Sequence, residues 1–100
     1  MSGGDWKSMF KATQEGDFEL VKFYLEKGMD PNYQHPEFMA LPLVESIRFN
    51  HLKITKLLLE NGGDPTIREV MEGETSISIA KKLNNQEAID LLNAYINQPE

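Results

Sequence analysis

The sequence predicts an all-α repeat solenoid, in which helix-turn-helix pairs stack side by side and extended loops project between them. The first observation is a repeat, because the segment 17–32 returns thirty-four residues later at 51–66. The second is a shorter copy from Asn85, which lacks the glycine and the Asp-Pro that follow the other two. Such a period is typical of units that bury a core only when they stack. We therefore expect function on the surface of the stack.

Composition places the chain among soluble globular proteins. Its 100 residues are 40% hydrophobic and 26% charged, as in ordinary domains. No apolar run reaches the about 18 residues that a membrane span needs, so we predict no membrane contact. We predict one domain over residues 1–100. Its repeats are expected at about 5–37, 38–71 and 72–97, the last serving as a C-terminal cap.

Charge and cysteine content exclude several classes of function. The net charge is −6 and the ten Lys and Arg residues are dispersed, whereas nucleic-acid binding needs a clustered basic surface. The chain has no cysteine, which excludes disulfides and thiolate chemistry. Residues 1–4 carry neither the basic nor the apolar region of a secretory signal. We therefore predict that the chain does not bind nucleic acid. We also predict a cytoplasmic protein, the alternative being that an export signal has been removed.

The first helix pair is predicted from capping residues and apolar spacing. Asp5 is expected to cap a helix over residues 6–14, with Trp6 covering the open end of the core. The inward residues of this helix are Met9, Phe10, Ala12 and Thr13. Asp17 is expected to cap a second helix over residues 18–27, which Gly28 ends. Its inward residues are Leu20, Val21, Tyr24 and Leu25.

The second pair repeats this order after a loop. Two prolines in residues 29–41 favour an extended, projecting loop over a helix. Pro42 suits the first position of a short helix that runs to about residue 49. A longer helix over residues 52–61 then ends at Gly62-Gly63, and a second projecting loop covers residues 64–74.

The third pair is predicted to close the stack. Thr75 or Ser76 starts its short helix, and Asn84 with Glu87 has the spacing of a capping box. Apolar residues spaced along 88–96 predict the last helix. Residues 97–100 are expected to form a frayed tail.

The repeated residues resemble the ankyrin-repeat family. Residues 16–22 and 28–32, and again 50–52 and 62–65, match the family's Gly-His-Leu-Glu-Ile-Val-Lys helix and its Gly-Ala-Asp hairpin start. The family's Thr-Pro-Leu-His turn falls on residues 7–10, 41–44 and 75–78, where only the middle copy keeps the proline and none keeps the histidine. Burial must then replace the hydrogen bonds of that turn. The resemblance implies β-hairpin-like loops and a concave surface that binds proteins.

Contact residues implied by the resemblance lie in the loops and at the ends of the short inner helices. These positions are Tyr33, Gln34, Glu37, Arg48, Phe49, Arg68, Glu69, Lys82 and Leu83. The loop residues themselves suggest further apolar contacts at Phe38, Met39, Val70 and Met71.

Alternatives stay open for several of these residues. Phe49 is either an aromatic anchor for a partner or a side chain that packs against the preceding loop. Phe38 and Met39 either form an exposed patch or tuck under their own loop. Arg48 and Arg68 lie among glutamates in the sequence, which favours local charge pairing over partner contact.

Catalysis finds little support in the sequence. His35-Pro36-Glu37 has the His-x-Glu spacing of zinc deaminases, but their mechanism needs cysteine ligands that the chain lacks. His51 falls at a helix start, where the resemblance implies a structural histidine. Nothing in the sequence pairs two carboxylates in a cleft, as acid-base chemistry would require. We predict no enzyme activity, no metal and no cofactor.

The predicted function is a non-catalytic adaptor or inhibitor that binds an unidentified protein partner as a monomer. The binding surface would be the concave face and the loop tips. One alternative is a structural protein that self-assembles through the stack end or the loops, which light scattering at several concentrations would reveal. Another is a regulatory fragment of a larger protein.

Overall fold

The computed structural model describes residues 3–96, which form six α-helices and no strand. The helices are α1 (Gly3–Glu15), α2 (Phe18–Glu26), α3 (Pro42–Arg48), α4 (Leu52–Glu60), α5 (Ser76–Lys82) and α6 (Gln86–Ile96). The predicted all-α repeat class is therefore confirmed. The predicted tail at residues 97–100 lies outside the described residues.

The helices form three pairs that stack in two layers. Each of the inner helices α1, α3 and α5 packs against the outer helix that follows it, α2, α4 or α6. Within the inner layer α3 lies between α1 and α5, and within the outer layer α4 lies between α2 and α6. The core is continuous between the layers, as a stack of small units requires.

The backbone keeps the 34-residue period between the layers. Gly16, Asn50 and Asn84 occupy the same position in the three pairs, with φ angles of 79°, 60° and 54°. Asparagine is one of the residues that tolerate this left-handed conformation, which lets it replace the glycine. The chain thus reverses in the same way between each inner helix and its outer helix.

Two predicted helix starts are wrong. Asn84 and Glu87 do not form a capping box, because Asn84 takes the left-handed turn and the next residue does the capping. The Asn85 Oδ1 atom accepts a hydrogen bond of 3.1 Å from the backbone N–H of Ala88. Asp5 does not cap α1 either, since the helix includes Gly3 and Asp5 lies in its first turn. A carboxylate is favourable there because the helix N-terminus carries partial positive charge.

A capping box does exist at the start of α5. The Thr75 Oγ1 atom accepts a hydrogen bond of 3.1 Å from the Ser78 N–H, and the Ser78 Oγ atom accepts one of 2.8 Å from the Thr75 N–H. Thr75 rather than Ser76 is therefore the cap. The predicted cap at Asp17 is confirmed, since its carboxylate accepts from the Leu20 N–H at 3.2 Å.

The inward residues of α1 are confirmed and those of α2 are confirmed in part. All four predicted residues of α1 are buried, and Trp6 is 1% exposed. Val21 and Leu25 are also buried, and Tyr24 is partly buried against the core. Leu20 is 36% exposed, so its predicted inward position is wrong. Leu20 is exposed because, among the described helices, α2 has an outer neighbour only in α4, whereas α4 packs against both α2 and α6.

The two loops are built from turns and lie against each other. Loop 1 (residues 27–41) and loop 2 (residues 61–75) contain no strand among their residues, all of which are described. The Asn32 side chain joins them by donating to the Gly62 carbonyl at 2.9 Å and accepting from the Asp64 N–H at 2.8 Å. Side-chain bridges of this kind fix the position of one repeat on the next.

Candidate functional site

An open groove of about 500 Å3 lies between α1, α3 and the tips of the two loops. We name it the α1–loop groove. The residues that line it are Lys7, Phe10, Lys11, Gln14, Phe38, Glu45 and Met71. The predicted contacts Phe38 and Met71 thus lie in one surface although they come from different loops.

An aromatic cluster supports the loop 1 side of the groove. The rings of Trp6 and Phe10 stack with centroids 4.8 Å apart, and the Phe38 ring lies 5.6 Å from Trp6 and 5.8 Å from Phe10. The Trp6 Nε1–H also donates to the Tyr33 carbonyl at 3.0 Å. Phe38 packs on this cluster and is still 37% exposed. Phe38 therefore packs against neighbouring rings, as one interpretation predicted, and also exposes part of its ring in the groove, as the other predicted.

Backbone hydrogen bonds hold the tip of loop 2 against loop 1. The Met71 N–H donates to the Met39 carbonyl at 2.9 Å. The Gln34 side chain accepts from the Val70 N–H and donates to the Arg68 carbonyl, both at 3.0 Å. Val70 is nevertheless 65% exposed and Met71 47% exposed. Apolar side chains are thus presented to solvent on a fixed backbone.

A charged cluster centred on Arg48 lies beside the groove. The Arg48 guanidinium contacts carboxylate oxygens of Glu45 at 2.7 Å, Glu72 at 3.1 Å and Glu69 at 3.3 Å. Burial of the guanidinium works to lower its pKa, but the three carboxylates outweigh this and raise the pKa of Arg48 above its ordinary value. Gln14 donates to the other oxygen of Glu45 at 3.1 Å. Arg48 therefore serves local pairing, as its sequence neighbours suggested.

Glu69 is not available as the contact that the resemblance implied. It is fully buried, and its Oε2 atom accepts from the Glu72 N–H at 3.0 Å in addition to the contact with Arg48. Glu69 thus holds loop 2 together from inside. Sequence reasoning missed this because a glutamate in a loop is usually solvated.

Two ion pairs lie at the edges of the surface, one between the exposed residues Lys7 and Glu37 and one between exposed Lys82 and buried Glu74. Lys82 contacts Glu74 at 2.7 Å, and Ser78 donates to the same carboxylate at 2.7 Å. The hydrogen bond from Lys82, followed by the one from Ser78, lowers the pKa of Glu74 below its ordinary value. Lys7 contacts Glu37 at 2.6 Å and lowers the pKa of Glu37 in the same way. Both pairs are formed within the protein, so each lysine already has a carboxylate beside it.

The remaining predicted contact residues do not line the groove. Phe49 and Leu83 are each 48% exposed and follow the last residues of α3 and α5 at equivalent positions. Tyr33 is 46% exposed but borders a different depression, beside Gly28. The Arg68 guanidinium donates to a backbone carbonyl within loop 2. The structure thus brings together Phe38 and Met71 and leaves Tyr33 apart from them.

Three groove residues on α1 were missed by sequence reasoning. Lys7, Lys11 and Gln14 are spaced by four and then three residues, which places them on one helical face. These polar residues lie beside the inward residues of α1. Their spacing could have indicated an exposed helical face that borders the groove. It was overlooked because contact positions were assigned only to the loops and the ends of the short inner helices.

The histidines have structural roles in the described part of the chain. The His35 Nδ1 atom accepts from the Glu37 N–H at 3.1 Å, and its ring lies 5.3 Å from Trp6. The His51 Nε2 atom is 3.0 Å from the Gln14 carbonyl, and its ring packs so closely on Gly16 that an added Cβ would lie 2.7 Å from it. Within residues 3–96, no three His, Asp or Glu side chains are arranged to hold a metal ion. None of the described helices has the length and apolarity to cross a membrane.

The sequence matches known proteins over most of its length. A family model described as ankyrin repeats, in three copies, matches residues 9–99. The ankyrin repeat protein R664 of Acanthamoeba polyphaga mimivirus is 33% identical over 88 residues, which is 88% of this chain and 53% of that protein. The ankyrin repeat-containing protein P1E11.10 of Schizosaccharomyces pombe is 33% identical over 84 residues, which is 84% of this chain and 39% of that protein.

A longer protein is also similar to this chain over most of its length. The protein HOS4 of Saccharomyces cerevisiae is 39% identical over 97 residues, which is 93% of this chain and 9% of that protein. The chain therefore spans about half the length, or less, of these curated relatives. Ankyrin repeats are generally non-catalytic modules that bind other proteins. With three stacked helix pairs and a family match across residues 9–99, this chain belongs to the ankyrin-repeat family.

Proposed function

We propose that this chain is a non-catalytic interaction module, an adaptor or inhibitor, that binds a protein partner through the α1–loop groove and the loop tips. One observation carries the proposal: Phe38 and Met71 leave apolar surface exposed in the same groove although the backbone around them is fixed. Exposed apolar patches bordered by polar side chains often mark interaction sites. A preorganised surface also loses less conformational entropy when it binds.

Further contacts would extend this surface on both sides. Phe49 is a suitable anchor because aromatic side chains dominate many interfaces and its ring is about half exposed. Val70 and Tyr33 would contact the partner at the loop tips. Glu37 and Lys82 would lie at the polar edge, where exposed charges contribute more to association rate than to affinity.

Other predicted residues would act indirectly in this proposal. Gln34 and Arg68 hold the loops in place through backbone carbonyls, and Arg48 neutralises the buried carboxylates beside the groove. We expect a monomer to bind, because one copy contains the whole groove. The cytoplasm is the expected location, as the sequence predicts.

The proposal is tested by capturing proteins from the native host on the immobilised chain and measuring the affinity of each purified candidate. Met71→Asp places a charge in the apolar groove, and we expect it to weaken binding by about tenfold or more, equivalent to about 1.4 kcal/mol. Phe49→Ala tests the predicted anchor in the same assay. Isothermal calorimetry gives the affinities, and thermal unfolding shows whether each variant stays folded.

The matched control is Leu20→Asp, which places the same charge on another exposed apolar side chain far from the groove lining. We expect this variant to bind the captured protein like the wild type. Loss of binding with Leu20→Asp and full binding with both Met71→Asp and Phe49→Ala would contradict the proposed site. A captured protein that the chain chemically modifies would contradict the non-catalytic role.

A further inference from the structure

The side of α2 that faces away from α4 carries an exposed apolar pair. Leu20 is 36% exposed and Phe23 is 48% exposed, and their spacing of three residues places them next to each other on the helix. The Lys27 ammonium lies 4.9 Å from the centre of the Phe23 ring. We name this surface the α2 face. It lies on the outer layer, away from the α1–loop groove.

The same positions are buried in the other two outer helices. Ile54 of α4 and Ala88 of α6 stand thirty-four and sixty-eight residues after Leu20, and they are 1% and 0% exposed. Leu57, which corresponds to Phe23, is 8% exposed. What distinguishes α4 and α6 from α2 is an outer helix packed on this side. Two internal interfaces therefore show that this position of the repeat accepts a helix.

The last outer helix, α6, at the opposite end of the stack, is more polar than α2. Asn93 of α6 stands where α2 has Leu25 and α4 has Leu59, and it is exposed. The described residues of α6 also include Glu87 and Asp90 and no basic residue. Apolar side chains are thus exposed near the middle of α2, whereas on α6 the exposed large apolar side chain is Ile96, at the last residue of the helix.

The α2 face carries one charge of each sign although the protein is acidic. Glu19 and Lys27 stand four residues before and four residues after Phe23, which places them on its side of the helix, whereas the chain carries a net charge of −6. Two copies of an acidic protein repel each other over most of their surface. The α2 face is a place where two copies can approach without this repulsion.

We propose that the α2 faces of two copies pack against each other, with the helices antiparallel across a two-fold axis. Leu20 and Phe23 of each copy then bury those of the other, as the preceding outer helix buries Ile54 in α4. The antiparallel arrangement brings Lys27 of one copy towards the acidic first turn of the second copy's helix, where Glu19 lies. It also sets the two helix dipoles in opposite directions, which is favourable.

A two-fold contact of this kind uses the same patch on both copies and closes at a dimer. It leaves the α1–loop groove of each copy free, so it does not depend on the proposed function. Each copy contributes only two apolar side chains to the contact, fewer than the about 20–30 residues a side of a standard interface, so we expect the association to be weak and dependent on concentration. At lower concentrations the chain stays the monomer expected from its sequence.

Sedimentation equilibrium of the whole chain tests the contact from about 10 µM to about 1 mM, the range in which weak complexes form. We expect the mean mass of the wild type to rise from one copy towards two. Phe23→Asp should keep the mass at one copy over the whole range. Leu83→Asp is the control, because it places the same charge on an equally exposed residue elsewhere and should leave the association unchanged.

A charge exchange identifies the second copy as the occupant. Lys27→Glu and Glu19→Lys should each weaken the association by at least threefold, and the two changes in one chain should restore most of it. Circular dichroism checks that each variant is folded at the temperature used. A wild type that stays one copy at every concentration would overturn the proposal. So would an association that Phe23→Asp leaves intact or that the double exchange fails to restore.

Discussion

The two loops of this protein share one backbone turn but are held by different chemistry. His35 in loop 1 and Glu69 in loop 2 stand thirty-four residues apart, and each accepts the same backbone hydrogen bond. The Met39 N–H donates to the His35 carbonyl at 2.7 Å, and the Gly73 N–H donates to the Glu69 carbonyl at 3.1 Å. Met39 and Gly73 both have positive φ angles, of 53° and 73°. The backbone conformation of this turn is therefore a feature that the two repeats share.

The side chains at this shared position decide how each loop is attached. The His35 ring lies among the aromatic rings of Trp6 and Phe38, at 5.3 and 5.8 Å. The Glu69 carboxylate is buried and contacts the Arg48 guanidinium. Loop 1 thus depends on ring packing, whereas loop 2 depends on a compensated buried charge. The comparison teaches that the same turn can be supported from inside by either kind of side chain.

The largest expected effect concerns the aromatic support of loop 1. Trp6→Ala should lower the free energy of unfolding by about 4 kcal/mol, because it removes a fully buried ring and leaves a cavity. Urea unfolding followed by circular dichroism measures the change. Trp6→Phe is the control, since it keeps a ring in the cluster and loses the hydrogen bond to Tyr33. A loss below about 1 kcal/mol for Trp6→Ala would show that loop 1 is held by other contacts.

The next effect concerns the charged support of loop 2. Arg48→Met should lower the free energy of unfolding by about 3 kcal/mol, because it leaves buried carboxylates without their cation. Adding Glu69→Gln should recover part of this loss, since the buried charge is then removed. The same urea experiment measures both variants. If Glu69→Gln lowers the free energy of unfolding by the same amount with and without Arg48→Met, the two residues act independently. The pairing of Arg48 with Glu69 would then not stabilise the loop.

The sequence predicted the helix pairs because the repeat period and the apolar spacing record local geometry directly. It could not predict the exposure of Leu20, since that depends on whether another helix lies beside α2. It also could not assign Glu69 to the interior, because only the fold brings Arg48 to it from another helix. The groove was predicted in part, through Phe38 and Met71, and its α1 wall was missed. The properties that could not be predicted are those that depend on contacts between residues distant in sequence.

A smaller effect concerns the shared turn itself. Met39→Gly should raise the free energy of unfolding by about 1 kcal/mol, because glycine adopts a positive φ without the steric cost of a side chain. Gly73→Ala should lower it by a similar amount, purely through this strain, because an added Cβ would meet nothing within 4 Å. Thermal unfolding of both variants measures the pair of effects. If both substitutions raised the free energy of unfolding, or both lowered it, the two loops would not share the same turn.

The smallest expected effect is the pH dependence of the Glu74–Lys82 pair, which joins the end of loop 2 to α5. Because the hydrogen bond from Lys82 lowers the pKa of Glu74, the folded state binds the Glu74 proton less tightly than the unfolded chain does. The contribution of the pair is therefore complete above the unfolded pKa of about 4.3 and is lost as the pH falls through the folded pKa. The pKa of Lys82 is raised by Glu74, so the contribution is also lost as the pH rises through the folded pKa of Lys82.

Lys82→Met should therefore reduce stability near pH 7 and have almost no effect well below the pKa of Glu74. Chemical unfolding of wild type and variant between about pH 3 and about pH 7 measures the difference. Lys81→Met, at the neighbouring exposed lysine, is the control and should show no such dependence. A difference between wild type and Lys82→Met that stays constant over this range would mean that Lys82 acts through packing of its methylene groups. The pair would then contribute no charge interaction, and loop 2 would differ from loop 1 only in the buried cluster around Arg48.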